Sequence, residues 1–61
     1  MEHLLIGDEI TIYHPDGTMQ GTVLLYSTVY FIKINKSSNS HYFAGSIFYY
    51  AGDYSLKIKI H

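Results

Sequence analysis

"EITIYHPDGTMQGTVLLY", residues 9 to 26, is the stretch on which the fold turns. Its first six residues alternate. Ile10 and Ile12 point one way, and Glu9, Thr11 and Tyr13 the other. A β-strand gives its side chains that period of two. "HPDG" then reverses the chain. Pro15 presets φ for the first central position of a type I turn, Asp16 tolerates the second, and Gly17 can take positive φ and form a bulge. "TMQGTVLLY" is the returning strand. Gly21 lies inside it, and a glycine within a strand marks a bulge or a sharp bend where a barrel turns its corner.

The same texture continues outward from this hairpin. β-branched and aromatic residues dominate, turn residues interrupt them at short intervals, and no 3.6-residue apolar stripe lasts beyond a turn or two, which predicts an all-β chain. "MEHLL" reads either as a helical turn or as a leading strand, with Gly7 and Asp8 breaking the run. A third strand is expected over 28–35, and both of its faces are apolar. Val29 and Phe31 point one way, and Tyr30, Ile32 and Ile34 the other. The Val29 and Phe31 side is assigned to the core. The opposite register stays open, because Lys33 falls on that same side. Then come a polar loop over 36–40, a short strand over 41–43, a break at 44–46 with room for one 3₁₀ turn, and a strand over 47–50. A turn at 51–53 leads to a last strand, 54–61. There Tyr54, Leu56, Ile58 and Ile60 face inward, and Ser55, Lys57, Lys59 and His61 outward. Lysines on the outer face also guard an edge strand against stray pairing. Five or six short strands of this spacing fit a small closed or nearly closed barrel.

Sixty-one residues make a single domain, 1–61. A chain of that length buries only about 60% of the surface its unfolded form exposes, so small domains add a staple. The absence of cysteine excludes disulfides and thiolate zinc sites. His3, His14, His41 and His61 are scattered without paired spacing, so neither a metal nor a cofactor is expected. Oligomerisation is the expected staple. No segment approaches the roughly 18 apolar residues of a membrane span. "MEHLLIG" lacks the basic start and long apolar run of a signal peptide. A soluble, cytoplasmic protein is expected.

Catalysis finds little to work with. Of the acids Glu2, Asp8, Glu9, Asp16 and Asp53, Asp16 and Asp53 are turn residues and Asp8 precedes a strand. The five glycines are dispersed, so there is no phosphate-cradling loop. A chain this short rarely builds a cleft that excludes water. The expectation is a protein that is not an enzyme.

The informative feature is the aromatic excess: seven Tyr and three Phe without Trp. A core of Ile10, Ile12, Val23, Leu25, Val29, Phe31, Leu56, Ile58 and Ile60 is already full. The remaining aromatics are expected to form an apolar, Tyr-rich outer surface, and contiguous exposed patches of that kind mark interaction sites. The expected contact set is Tyr30, Ile32, Tyr42, Tyr49 and Tyr50, flanked by Tyr26 and by His41, the one histidine among dense aromatics. The primary expectation is an interaction module that self-associates as a homo-oligomer or docks on a larger protein partner to modulate or inhibit it. The alternative is a single-stranded RNA or DNA binder. Its exposed aromatics would stack bases, and Lys33, Lys36, Lys57 and Lys59 would meet phosphates. Four lysines and no arginine are a thin supply for that role.

Residues 7 to 35, "GDEITIYHPDGTMQGTVLLYSTVYFIKIN", resemble the first half of an Sm-like or related SH3-like small barrel. Ile10, Ile12, Asp16, Gly17, Gly21, Val23, Val29 and Phe31 sit at comparable places, and the likeness extends over residues 7 to 50. It implies a five- to six-stranded barrel and a ring-like assembly. RNA binding does not follow. Ser27 stands where these proteins usually carry an acid, and "HYFAGSIF" has no Lys or Arg.

Overall fold

Pro15 and Asp16 close a two-residue turn, and the strands on either side run in unbroken register. In the computed structural model, which describes residues 3–52 and 56–61, β1 (Glu9–His14) pairs with β2 (Gly17–Tyr26), from His14 opposite Gly17 to Glu9 opposite Thr22. Gly17 has φ 133°, the positive value that the turn demands. β3 (Tyr30–Ser37), β4 (Ile47–Tyr50) and β5 (Lys57–Ile60) complete one antiparallel sheet in the order β4-β3-β2-β1-β5. The protein is thus all-β. The first four strands form a meander, and β5 returns to lie beside β1. No ladder joins β4 to β5 among the described residues, where β5 pairs with β1 alone.

The core sits on one face of this sheet: Leu4, Ile10, Ile12, Met19, Val23, Ile32, Ile34 and Phe48. Cross-strand rows build it. Val23, Ile32 and Phe48 align across β2, β3 and β4. Ile58, Ile12 and Met19 align across β5, β1 and β2. Between them run Ile60, Ile10, Gly21 and Ile34. Gly21 supplies the only gap in that row. A Cβ there would stand 2.6 Å from the Lys33 carbonyl oxygen and 2.7 Å from Ile32 Cγ2. The bend expected at Gly21 is present as a register slip between Gln20 and Gly21, where Asn35 is the unmatched residue on β3.

Several expectations are corrected. β3 turns Tyr30, Ile32 and Ile34 inward, and Phe31 and Lys33 outward. This is the register that spares Lys33 the cost of burying an unpaired charge. Val29 lies before the strand, in a bend. Leu25 is 44% exposed. A second slip leaves Leu24 unmatched between Val23 and Leu25, and that extra residue turns Leu25 to the outer face opposite Phe31. Ile60 is inward but at the sheet edge, where it stays 38% exposed. Met19, Ile34, Leu4 and Phe48 take the vacated core places. β3 begins and ends two residues later than expected.

Residues 41–43 are not a strand; the Asn39 side chain claims the His41 and Tyr42 N–H groups. Residues 3–5 are neither helix nor strand. The inward Tyr54, the outward Ser55 and part of the turn at 51–53 lie outside the described residues.

Gly21→Ala forces a Cβ against backbone, a form of overpacking that costs about 1–3 kcal/mol. The urea unfolding midpoint is expected to fall accordingly, with an unchanged slope.

Candidate interaction surface

Two aromatic rows meet at the end of the sheet where β2 turns into β3. On the inner side Tyr26, Tyr30 and Tyr50 pair across β2, β3 and β4. Their ring centroids are 4.5 Å apart for Tyr26 and Tyr30, and 6.2 Å for Tyr30 and Tyr50. Tyr30 and Tyr50 lean on the core, and Tyr26 stands 60% exposed. On the outer side Leu25, Phe31 and Tyr49 form the matching row. The Phe31 and Tyr49 rings meet edge to face at 5.0 Å, the geometry that aromatic quadrupoles favour. Tyr49 is 61% exposed.

The N-terminal segment joins this end. The Gly7 N–H donates to the Val23 carbonyl, and the Val23 N–H donates to the Asp8 carbonyl. Asp8 closes the turn before them, its Oδ2 accepting from the Leu5 N–H at 2.8 Å. Leu5 and Ile6, just before the Gly7 contact, are left exposed. Leu24 is exposed as well, and Lys33 follows Phe31 by two residues on the same outer face.

His41 and Tyr42 belong to the other end, by the β1–β2 turn. Asn39 is almost fully buried and organises that end. Its Oδ1 accepts from the His41 N–H at 2.7 Å and the Tyr42 N–H at 3.1 Å, and its Nδ2 donates to the Gly17 carbonyl at 3.4 Å. The Tyr42 ring meets Phe48 edge-on at 4.9 Å and His14 at 5.8 Å. His41 Nδ1 lies 3.0 Å from Asp16 Oδ2, both side chains well exposed. Ser40 Oγ approaches the same Nδ1 at 3.2 Å. A Ser-His-Asp relay needs the hydroxyl and the carboxylate on opposite ring nitrogens, so this trio is a loop contact.

The expected contact set therefore divides. Tyr26, Tyr30, Tyr49 and Tyr50 share one end, although on two faces. His41 and Tyr42 clamp the opposite end. Ile32 is a correction: it is fully buried in the Val23–Phe48 row and has no surface to offer. Leu25, Phe31, Leu5 and Ile6 are the patch members that the sequence reading missed. The signal was there in "VLLY", whose consecutive leucines cannot both face inward on a regular strand.

The four lysines share the outer face. Lys33 pairs with Thr22, Lys36 with Gln20, Lys57 with Tyr13, and Lys59 with Thr11. Glu9 is also on that face and accepts from Thr22 Oγ1 at 2.8 Å, while Asn35 Nδ2 donates to the same hydroxyl. Thr11 is buried there under the His61 ring, with Oγ1 2.6 Å from Nε2. Among the described residues no three His, Asp or Glu side chains converge for a metal ion. No helix among them is long and apolar enough to cross a membrane. No family model matches the chain, and comparisons with curated proteins and with solved structures give no significant match.

Asn39→Ala strands two backbone donors and a carbonyl. The expected loss is about 1–3 kcal/mol in urea unfolding. His41→Ala removes only an exposed pair and should cost less than about 1 kcal/mol.

Proposed function

We propose that the protein is a non-enzymatic interaction module, a cytoplasmic small β-barrel of the SH3-like or Sm-like kind, that self-associates through its apolar end. The observation that carries this reading is the outer row of Leu25, Phe31 and Tyr49, with Leu5 and Ile6 also exposed. Isolated apolar side chains on a surface need no explanation, but a contiguous patch does. The three residues of the row are themselves uncharged, so their meeting with the same row of a second copy about a two-fold axis brings no like charges together within it. The small core adds a motive, since a short chain gains from burying further apolar area. The strand order and the two register slips support the barrel reading, because bulges sharpen the twist that lets a sheet curl. A larger protein that presents a similar apolar surface is the other occupant this end suits, and such docking would modulate or inhibit that protein.

Sedimentation equilibrium tests the reading. Wild-type protein is expected to associate with rising concentration, and Leu25→Ser or Tyr49→Ser to weaken association at least about tenfold, the scale of an interface hot spot. Both residues are exposed, so far-UV circular dichroism should not change. A monomer at all concentrations removes self-association.

The shared face of the four lysines favours a second reading, a single-stranded nucleic-acid surface on which Tyr13, Phe31 and Tyr49 stack bases. It requires binding of short RNA or DNA oligomers that weakens steeply with added salt. No mobility shift at low salt removes it.

A further inference from the structure

We propose that the free edge of β5 receives an extended polypeptide segment of alternating acidic and apolar residues as an added strand. This rests on the reading of the protein as an interaction module and uses a surface separate from the apolar end.

Three features of that edge define the partner. The first is the backbone. Among the described residues β5 is paired on one side only, with β1. The His61 N–H donates to the Glu9 carbonyl at 2.9 Å, which sets the phase of the ladder. Bonded pairs in an antiparallel ladder recur at every second residue. Lys57 and Lys59 therefore direct their backbone groups to β1, and Ile58 and Ile60 direct theirs away from the sheet. Such a row of donors and acceptors is a template for strand addition.

The second feature is space. A groove of about 720 Å³ runs along this edge, lined by Tyr13, Lys57, Ile58, Lys59 and Ile60. The third is chemistry that alternates with the strand. Ile58 and Ile60 present apolar surface on the inner side, and Lys57 and Lys59 present ammonium groups on the outer side. Among the described residues neither lysine has an ion-pair partner. An added strand places its side chains directly beside those of its neighbour. Acidic residues two apart in the partner, about 6.8 Å along an extended chain, would fall beside Lys57 and Lys59. The apolar residues between them would cover Ile58 and Ile60.

Edge lysines ordinarily deter pairing. They deter chains without a counter-charge, and an acidic strand turns the same feature into selectivity. β4, Ile47–Tyr50, at the opposite end of the strand order, carries no acid and would leave both lysines unmatched. A nucleic acid would leave the Ile58 and Ile60 amides unmatched in the ladder sense.

Fluorescence anisotropy with a labelled peptide of alternating Glu and Val tests the proposal on the full chain. The peptide is expected to bind, to bind more weakly as salt rises, and to lose at least about tenfold in affinity against the Lys57→Glu, Lys59→Glu double variant, a loss of about 1.4 kcal/mol. A Lys and Val peptide should show the reverse preference. N-methylation of the valines, whose amides face β5 in antiparallel addition, should abolish binding, while N-methylation of the glutamates should not. The proposal is overturned if the Glu and Val peptide does not bind. It is overturned equally if the double variant binds that peptide as well as wild type does, if valine methylation is tolerated, or if only an oligonucleotide or a second copy of the chain occupies the edge. Sedimentation of the Leu25→Ser variant reports on the apolar end independently, so failure of one reading does not mimic failure of the other.

Discussion

Leu24 has no residue opposite it on β3. Everything beyond it on β2 depends on that extra residue. A regular strand would send Val23 and Leu25 to one face and Leu24 and Tyr26 to the other. With one residue unmatched, Val23 stays in the core opposite Ile32, and Leu25 passes to the outer face opposite Phe31. Tyr26 comes back to the inner side beside Tyr30. The result is two aromatic rows on opposite faces of one sheet end. Among the described residues no second layer lies over the outer one, and Leu25 and Tyr49 remain in solvent.

The hairpin was legible because its signals are local. "HPDG" and the alternation before it depend on φ preferences and on a period of two; Gly17 takes the expected positive φ, while the ladder runs unbroken from His14 opposite Gly17 without the expected bulge there. The place of Gly21 was legible for the same reason, although the tight approach of the Lys33 carbonyl that enforces it was not. The face of β3 was not decided by local signals, because both faces are apolar. Lys33 was the one residue able to break the tie, and it did so in favour of Ile32 and Ile34. The loop at 38–46 was misread as part strand because "HYF" has strand composition. Asn39, a buried amide 22 positions from the Gly17 carbonyl it bonds, carries no local mark of that role.

The candidate surface was legible as a quantity and not as a place. Counting aromatics against the capacity of the core showed that some must be exposed. Which ones are exposed depended on the Leu24 bulge, and a bulge without glycine or proline leaves little trace in a sequence. The lysines behave differently. Their alternation in "LKIKIH" survives into the structure, with Lys57 and Lys59 outward and Ile58 on the inner side. An edge strand with a clean period of two is read correctly because nothing beyond its single neighbour disturbs it.

Tyr26, Tyr30 and Tyr50 have a consequence beyond packing. The chain contains no tryptophan, so its near-ultraviolet absorption and emission are dominated by its seven tyrosines. Three of the seven stand in one row, graded from an exposed ring at Tyr26 to half-covered rings at Tyr30 and Tyr50. The molecule thus carries a built-in optical label at one pole, reporting from the end where its apolar surface lies open.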